Sequence, residues 1–550
     1  MIKKFLDTKT HNITLASFIL GFNYLVSALL GLLRDRLLAS KFGAGDELDI
    51  YYAAFRIPDF VAMIFIIGSI SATIIPIFSE YLVRSKKEAW EFFSNLLNVC
   101  LVCLIVICFI LIIFTPQILS FIVPGFSQEK KELTIYLTRI MFLSPIILGI
   151  SNLISGILFV FKRYLVTSLS PIMYNLGIIF GIIFLTPAFG VKGLAFGVVL
   201  GAIFHLLIQI PILFEVGFKP EKKFNFFHPG FIKTIKLSIP RTFGLLASQI
   251  NLLIITSISS TLFAGSIAIF TLSNNIQSLP ISLIAASFSS AIFPVLTIHF
   301  SQKNKKEFIE QFSLIFREII FLIIPLSFLI FLLRAQIVRV ILGAGKFSWV
   351  DTRLTAACLG IFSFSIFAYG LSLFISKVFY SIQNTKIPSL ITLFTVLLNI
   401  ILSFLFVWLL SFDNPFKEFI INFLKLEGIS NISVIGLSLA WSLSGIFQII
   451  VQLIFFYKKI GDFKIKEILK SFENTLISSI IMSFIVYFSL RIFSKIVDMK
   501  TFIGVFSQAF FASIIGILVY ILISFVLKSE EIKIFKDLFL KAFLKINGKY

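Results

Sequence analysis

The chain has 550 residues, of which 58% are hydrophobic and 14% charged, with a formal net charge of +21 and a mean hydropathy of +1.03. Soluble domains hold about 45–50% apolar and about 25% charged residues, so this composition excludes a soluble enzyme, a disordered chain and a secreted disulfide scaffold. The basic residues gather in loops and tails without forming a basic face, which argues against a nucleic-acid partner and for loops that meet anionic lipid.

In chain order, apolar runs long enough to cross about 30 Å of hydrocarbon predict about 14 spans and an all-α polytopic membrane protein. They lie near 14–33, 50–80, 93–123, 135–160, 166–187, 193–214, 237–262, 266–298, 312–333, 356–380, 387–411, 433–457, 472–490 and 503–527. The first follows a basic stretch, Met1 to Asn12, and lacks a cleavage site, so it reads as a span and not as a signal peptide. Pro58 and Pro76 fall inside the second, which should therefore be bent or broken. Cys100 and Cys103 form a C-x-x-C within an apolar run, a setting for small packed residues and not for a metal or redox site.

With the N-terminus inside, alternating loops carry roughly 29 Lys and Arg on the cytoplasmic side against roughly 15 outside, by the positive-inside rule. The richest inside segments are Glu215–Lys236, Ser301–Lys306, Lys458–Lys470 and Lys528–Tyr550, so both termini are expected in the cytoplasm. The chain also repeats itself. GSISATIIPIFS at 68–79 matches ASFSSAIFPVLT at 286–297, aligning Ser71 with Ser289 and Pro76 with Pro294. VKGLAFGVVLGAIFHLLIQ at 191–209 matches VIGLSLAWSLSGIFQIIVQ at 434–452, aligning Gly193 with Gly436, Phe204 with Phe447 and Gln209 with Gln452. Two parallel six-span repeats are expected at 1–217 and 218–460, followed by two further spans and a basic cytoplasmic tail at 461–550. Transporters are commonly built this way, with a site near the midplane between repeats.

A charge within the bilayer costs at least about 2.5–3.5 kcal/mol on insertion scales, so each one is a functional candidate. Arg34, Asp35 and Arg36 close the first span; Asp49, Arg56 and Asp59 lie along the second. Arg139 sits in the fourth, Lys162 and Arg163 end it, Arg241 enters the seventh and Lys377 lies in the tenth. Arg34, Arg36, Lys162 and Arg163 are near span ends, where long side chains reach the headgroups cheaply, and for the last two that bland reading is preferred. Arg56 lies inside a span, just before Pro58 and two helical turns from Asp49, so both can face one cavity. His205 and Gln209 are one turn apart and suit an interhelical polar contact. GAGDELD and GAGKFSW lack the Gly-Lys-Ser/Thr ending of a nucleotide loop, the TVGYG filter is absent, and four His allow no Ser-His-Asp set. The spans at 237–262 and 387–411 contain no Asp or Glu, which leaves no carboxylate-based cation site there. The residues alone describe a duplicated, cation-lined transporter suited to an anionic cargo, with Arg as a planar fork for phosphate oxygens.

GLLRDRLLASKFGAGDELDIYYAAFRIPDF (31–60) is similar to the opening signature of the MurJ/MviN family, lipid II flippases of the MOP exporter superfamily. The similarity continues through PGF (124–126), GILFVFKRYLVTSLSPIMYN (156–175), SQI (248–250), SNNIQSLP (273–280), GKF (345–347) and KVFYSIQNTKIP (377–388). The resemblance implies two six-helix lobes in a V, with two C-terminal helices forming a lipid-accessible groove. It implies a non-enzymatic transporter of the bacterial inner membrane. Such a protein moves lipid II, the lipid-linked peptidoglycan precursor, to the periplasmic leaflet for cell-wall biogenesis. No cofactor is implied; membrane potential or a monovalent cation gradient would drive transport, with membrane lipids and cell-wall synthesis proteins as further partners. Arg34, Asp35 and Asp49 match family residues, and Arg56 falls on a position that is basic in the family. Other family cavity arginines fall on Ala28, Ala62 and Asn275, and an expected glutamate falls on Ile67. Arg36, Arg139, Arg56 or Arg241 would then compensate. Arg34, Asp35, Asn275, Asp49, Arg56 and Arg241 thus form the expected substrate-binding set. The missing arginines leave two alternatives open: export of another polyprenyl-diphosphate-linked saccharide, and a non-transporting scaffold for cell-wall enzymes.

Overall fold

A computed structural model describes residues 13–63 and 71–532, with side chains described over the same ranges except 13–18, 71–72 and 239–245. The described residues are helical throughout, joined by short turns, with no strand among them. The helices are α1 (Ile13–Phe42), α2 (Asp46–Ala62), α3 (Ser71–Arg84), α4 (Lys86–Ile122), α5 (Gln128–Met141), α6 (Leu143–Val160), α7 (Tyr164–Phe180) and α8 (Lys192–Leu207). They continue with α9 (Pro229–Ser260), α10 (Ser266–Pro280), α11 (Ser287–Ser301), α12 (Lys305–Ile341), α13 (Trp349–Ser363) and α14 (Ile366–Ser381). The last are α15 (Lys386–Ser411), α16 (Pro415–Leu424), α17 (Val434–Ile460), α18 (Ile465–Ile496) and α19 (Phe502–Val526).

Polar residues at the ends of the apolar runs set where helices begin. The side chains of Ser85, Asn304, Asn414 and Thr501 accept hydrogen bonds from the exposed amides of α4, α12, α16 and α19. Ser348 and Asp351 form a reciprocal capping box at α13. Two π-helical turns, Gly181–Leu185 after α7 and Ile281–Ala286 after Pro280, interrupt the ladder inside long spans. Among the described residues, ten helices or helix runs are long and apolar enough to cross a membrane, and α13 with α14, bent by 48°, supplies an eleventh. Of the three other expected spans, 50–80 includes residues outside those described, and 14–33 and 237–262 include residues whose side chains lie outside them, which accounts for the difference from about fourteen.

By contact the chain divides into two compact units, Met1–Ala268 with Ala344–Phe347, and Ile269–Gly343 with Ser348–Tyr550. In the first, α3 packs on α4 and α6, α4 on α6, α6 on α8, and α7 on α8. The second repeats this pattern with α11 on α12 and α14, α12 on α14, α14 on α17, and α15 on α17. The correspondence reaches single residues. Phe93 and Phe312 are both completely buried. Lys162 and Gln383 both take φ 58° in the turns that end α6 and α14. A Cβ on Gly193 would lie 2.6 Å from Leu185 backbone, and one on Gly436 would lie 2.7 Å from Phe406 backbone, so both glycines permit a close helix crossing. The register between the units is nearly constant up to Leu185 and Phe406, then jumps where the second unit inserts α16 and its flanking turns. In the second unit α18 and α19 pack against each other and on α12. Between α12 and α19 lies an apolar groove of about 360 Å3, lined by Leu329, Leu333, Ile337, Phe506 and Phe510.

Candidate functional site

Near the end of α1, Arg34 is deep in the protein and yet keeps 24% of its side chain open, the signature of a group that lines a recess. Its Nε and Nη2 donate to Asp35 Oδ1 at 3.0 and 2.8 Å, and Nη1 donates to Asn175 Oδ1 at 3.2 Å. Asp35 is buried, so the pair brings almost no net charge into the membrane. A guanidinium has five N–H donors, and these bonds occupy three, leaving one on each terminal nitrogen. Asn175 is itself fixed, donating to Pro171 O and to the backbone and hydroxyl oxygens of Ser27. Pro171 cannot donate a helical hydrogen bond, and Asn175 uses the carbonyl one turn before it. The segment 156–175 contains Asn175, but only helix packing brings it to Arg34; an Asn four residues after a Pro in an apolar run was the available signal.

Tyr51 and Tyr52 on α2 stand in the electrostatic surroundings of Arg34, with ring centroids 5.3 Å apart. Tyr174 on α7 shares that neighbourhood with Arg34, Tyr51 and Asp59. The Tyr52 hydroxyl is buried without a hydrogen-bond partner, which is uncommon for a buried polar atom. Arg56 points its Nε at Thr256 Oγ1 of α9, 3.0 Å away, with Asp59 as its nearby counter-charge. The first unit thus gathers Arg34, Arg56, Asn175 and three tyrosines from α1, α2 and α7, with Thr256 from α9.

The other expected residues have surroundings of their own. Asp49 does not open onto a cavity: it is 4% exposed, and its two oxygens accept from Gly265 N at 2.7 Å and Ala268 N at 2.8 Å. It therefore holds the turn before α10, where Gly265 takes φ +93° and a Cβ would strike Ala44 O. Asn275 lies on α10 in the second unit, where its carbonyl accepts from Ser278 Oγ. Arg241 lies within α9 with its side chain outside the described residues, and the position of Ile67 lies outside the described residues altogether. Arg139 Nε donates to Ile112 O on α4. Arg163 does not reach for headgroups: it is 5% exposed and lies 4.0 Å from Glu215. His205 and Gln209 do make an interhelical contact, with Ser151 Oγ 2.6 Å from His205 Nδ1 and Ser155 Oγ donating to Gln209 Oε1 at 2.9 Å.

A family model described as lipid II flippase MurJ matches residues 38–507. The probable lipid II flippase MurJ of Buchnera aphidicola subsp. Schizaphis graminum is 31% identical over 404 residues, 72% of this chain and 79% of that protein. Its counterpart from Rickettsia prowazekii is 31% identical over 394 residues, 70% and 76% of the two chains. Among solved structures, lipid II flippase MurJ in an inward closed conformation superposes with a TM-score of 0.73 at 26% identity, covering 92% of this chain and 98% of that one. An inward-facing MATE multidrug transporter of the MOP superfamily gives 0.63 at 16% identity, covering 80% and 95%, a likeness of fold alone.

Proposed function

The chain belongs to the MurJ lipid II flippase family, and from that premise we propose that it carries lipid II from the cytoplasmic to the periplasmic leaflet of a bacterial cytoplasmic membrane. The chemistry is binding and release by alternating access, with no covalent bond made or broken. The supporting observation is Arg34, deep, partly open and with two N–H groups uncommitted. A diphosphate in a low-dielectric recess needs directed donors, and a guanidinium offers two on parallel lines. Asp35 keeps Arg34 neutralised while the site is empty and orients its fork toward the opening. Arg56 and the Tyr52 hydroxyl extend the donor set along α2. The apolar groove between α12 and α19 suits a polyprenyl tail, which needs area and no polar partner.

In this reading both termini face the cytoplasm, and the duplicated lobes are 1–217 and 218–460, with 461–550 appended. Membrane potential or a monovalent cation gradient supplies the drive. The test is outer-leaflet exposure of lipid II in cells depleted of their own flippase and expressing this chain. An externally added enzyme that cleaves only the flipped precursor gives the readout. Wild type should restore cleavage and Arg34→Ala should abolish it while remaining inserted. Failure of the inserted wild-type chain to restore cleavage would overturn the function; full activity of Arg34→Ala would overturn the site.

A further inference from the structure

Lys377 on α14 donates through Nζ to Ser290 Oγ on α11 at 2.7 Å, and among the described residues no carboxylate pairs with it. The Ser290 hydroxyl already donates to Ala286 O at 2.6 Å, at the end of the π-helical turn, so its oxygen is free to accept. An ammonium has three N–H groups, and two of them remain uncommitted.

The direction of this side chain matters. Lys377 is four residues from the end of α14 at Ser381, about 6 Å, so the near membrane surface is within its reach. Ser290 is eleven residues before the end of α11 at Ser301, about 16 Å in. Spans eight and ten run the same way, since one span separates them, so the two ends lie on one side of the bilayer. The lysine therefore extends toward the membrane interior, as helical Cα–Cβ geometry favours, and away from the headgroups. Ser290 lies on an exposed stripe with Ser287, Ala291 and Pro294. Cations at such depth face a polar cavity or a partner and not lipid tails.

A simple helix staple does not need this charge. One residue earlier, Ser376 already accepts from Gln452 Nε2 at 3.1 Å and ties α14 to α17 with neutral groups. The corresponding positions in the first repeat are Gly156 and Ala72, so no lysine stands there, while α3 still packs on α6. The duplicated fold is thus complete without Lys377, and its cost is unexplained by packing.

We propose that Lys377 Nζ, held by Ser290 Oγ, is an anion subsite of the second unit that takes a phosphate of the transported lipid. This rests on the flippase reading. An annular phospholipid has the same headgroup chemistry, so the test separates the two sources. Full-length protein in nanodiscs is titrated with undecaprenyl diphosphate and, separately, with phosphatidylglycerol. Lys377→Gln should weaken the diphosphate about tenfold or more, and Lys377→Arg should stay within about threefold of wild type. Ser290→Asp places a carboxylate on the ammonium and should cause the same loss with the lysine stem intact, which covers a fold defect in Lys377→Gln. Phosphatidylglycerol binding should not change. Unchanged diphosphate binding in both variants, or a loss confined to phosphatidylglycerol, overturns the subsite. If wild type restores outer-leaflet lipid II while both variants bind normally, the subsite fails and the flippase reading stands; if wild type neither flips nor binds, both fail.

Discussion

In the first unit Gln209 receives a hydrogen bond from Ser155 of α6 at 2.9 Å, and in the second its counterpart Gln452 donates to Ser376 of α14 at 3.1 Å. The same helices meet in the same order, yet the surroundings differ. Gln209 also donates to Ser151 Oγ at 2.8 Å and His205 O at 3.0 Å, whereas Gln452 Oε1 is buried without a partner. The contrast extends to charge. The first unit holds the Arg34–Asp35 pair with Asn175, while the second holds Lys377 on a serine. A duplicated frame keeps what packing demands, the glycines at the crossings and the phenylalanines of the core, because a Cβ or a cavity there is penalised in both copies. Polar groups off that shared packing are under no such constraint, and there the two units differ.

The largest effect should test the shared frame. Gly193→Ala and Gly436→Ala each press a Cβ onto a neighbouring helix backbone, and each should cost about 3 kcal/mol, measured by thermal unfolding in detergent. A large drop in one with none in the other would break the equivalence. Next comes the part that only the second unit has. Arg317 on α12 bonds Glu530 at 2.6 Å and lies 3.6 Å from buried Glu531 and 3.8 Å from Glu467 on α18. Arg317→Gln should destabilise by about 2–3 kcal/mol and expose sites after α19 to limited proteolysis. Its counterpart Asn98 donates only to the carbonyls of Glu221 and Lys223, so Asn98→Ala should cost about 1 kcal/mol or less. The glutamine pair sharpens the comparison further: Gln209→Leu should cost about 2 kcal/mol, and Gln452→Leu within about 0.5 kcal/mol of zero.

The smallest effect concerns the inserted segment. Its exposed Asp413 is held below the usual carboxylate range by the hydrogen bond and charge of Lys417, 2.8 Å away. A depressed native value means the contribution is present above the unfolded-chain value, about 4, and is lost as pH falls through the lower native one. Asp413→Asn should lower the unfolding midpoint slightly at pH 7 and leave it unchanged at about pH 2, where the wild type has lost the same contribution, measured by thermal unfolding at the two pH values.

Hydropathy located the spans, and Pro76 with Pro294, Gly193 with Gly436 and Gln209 with Gln452 were legible as a duplication, because apolar length and helix-crossing residues are written locally. Arg34 with Asp35 was legible for the same reason: two adjacent charges at the end of an apolar run are expensive wherever they lie. Asn175, 141 residues from Arg34, was not, and neither was Asp49 as the clamp of a turn 216 residues away. Spacing placed Asp49 and Arg56 on one side of α2, but their partners on other helices decided that one holds a loop while the other stands beside the recess. Arg163 likewise read as a headgroup contact, whereas the fold buries it 4.0 Å from Glu215. Sequence alone therefore determined the membrane class, the repeat and the short list of costly residues, since these depend on transfer free energy and periodicity. Only the tertiary structure decided which donors remain uncommitted, because a hydrogen bond depends on where two distant helices place their atoms, to within an ångström.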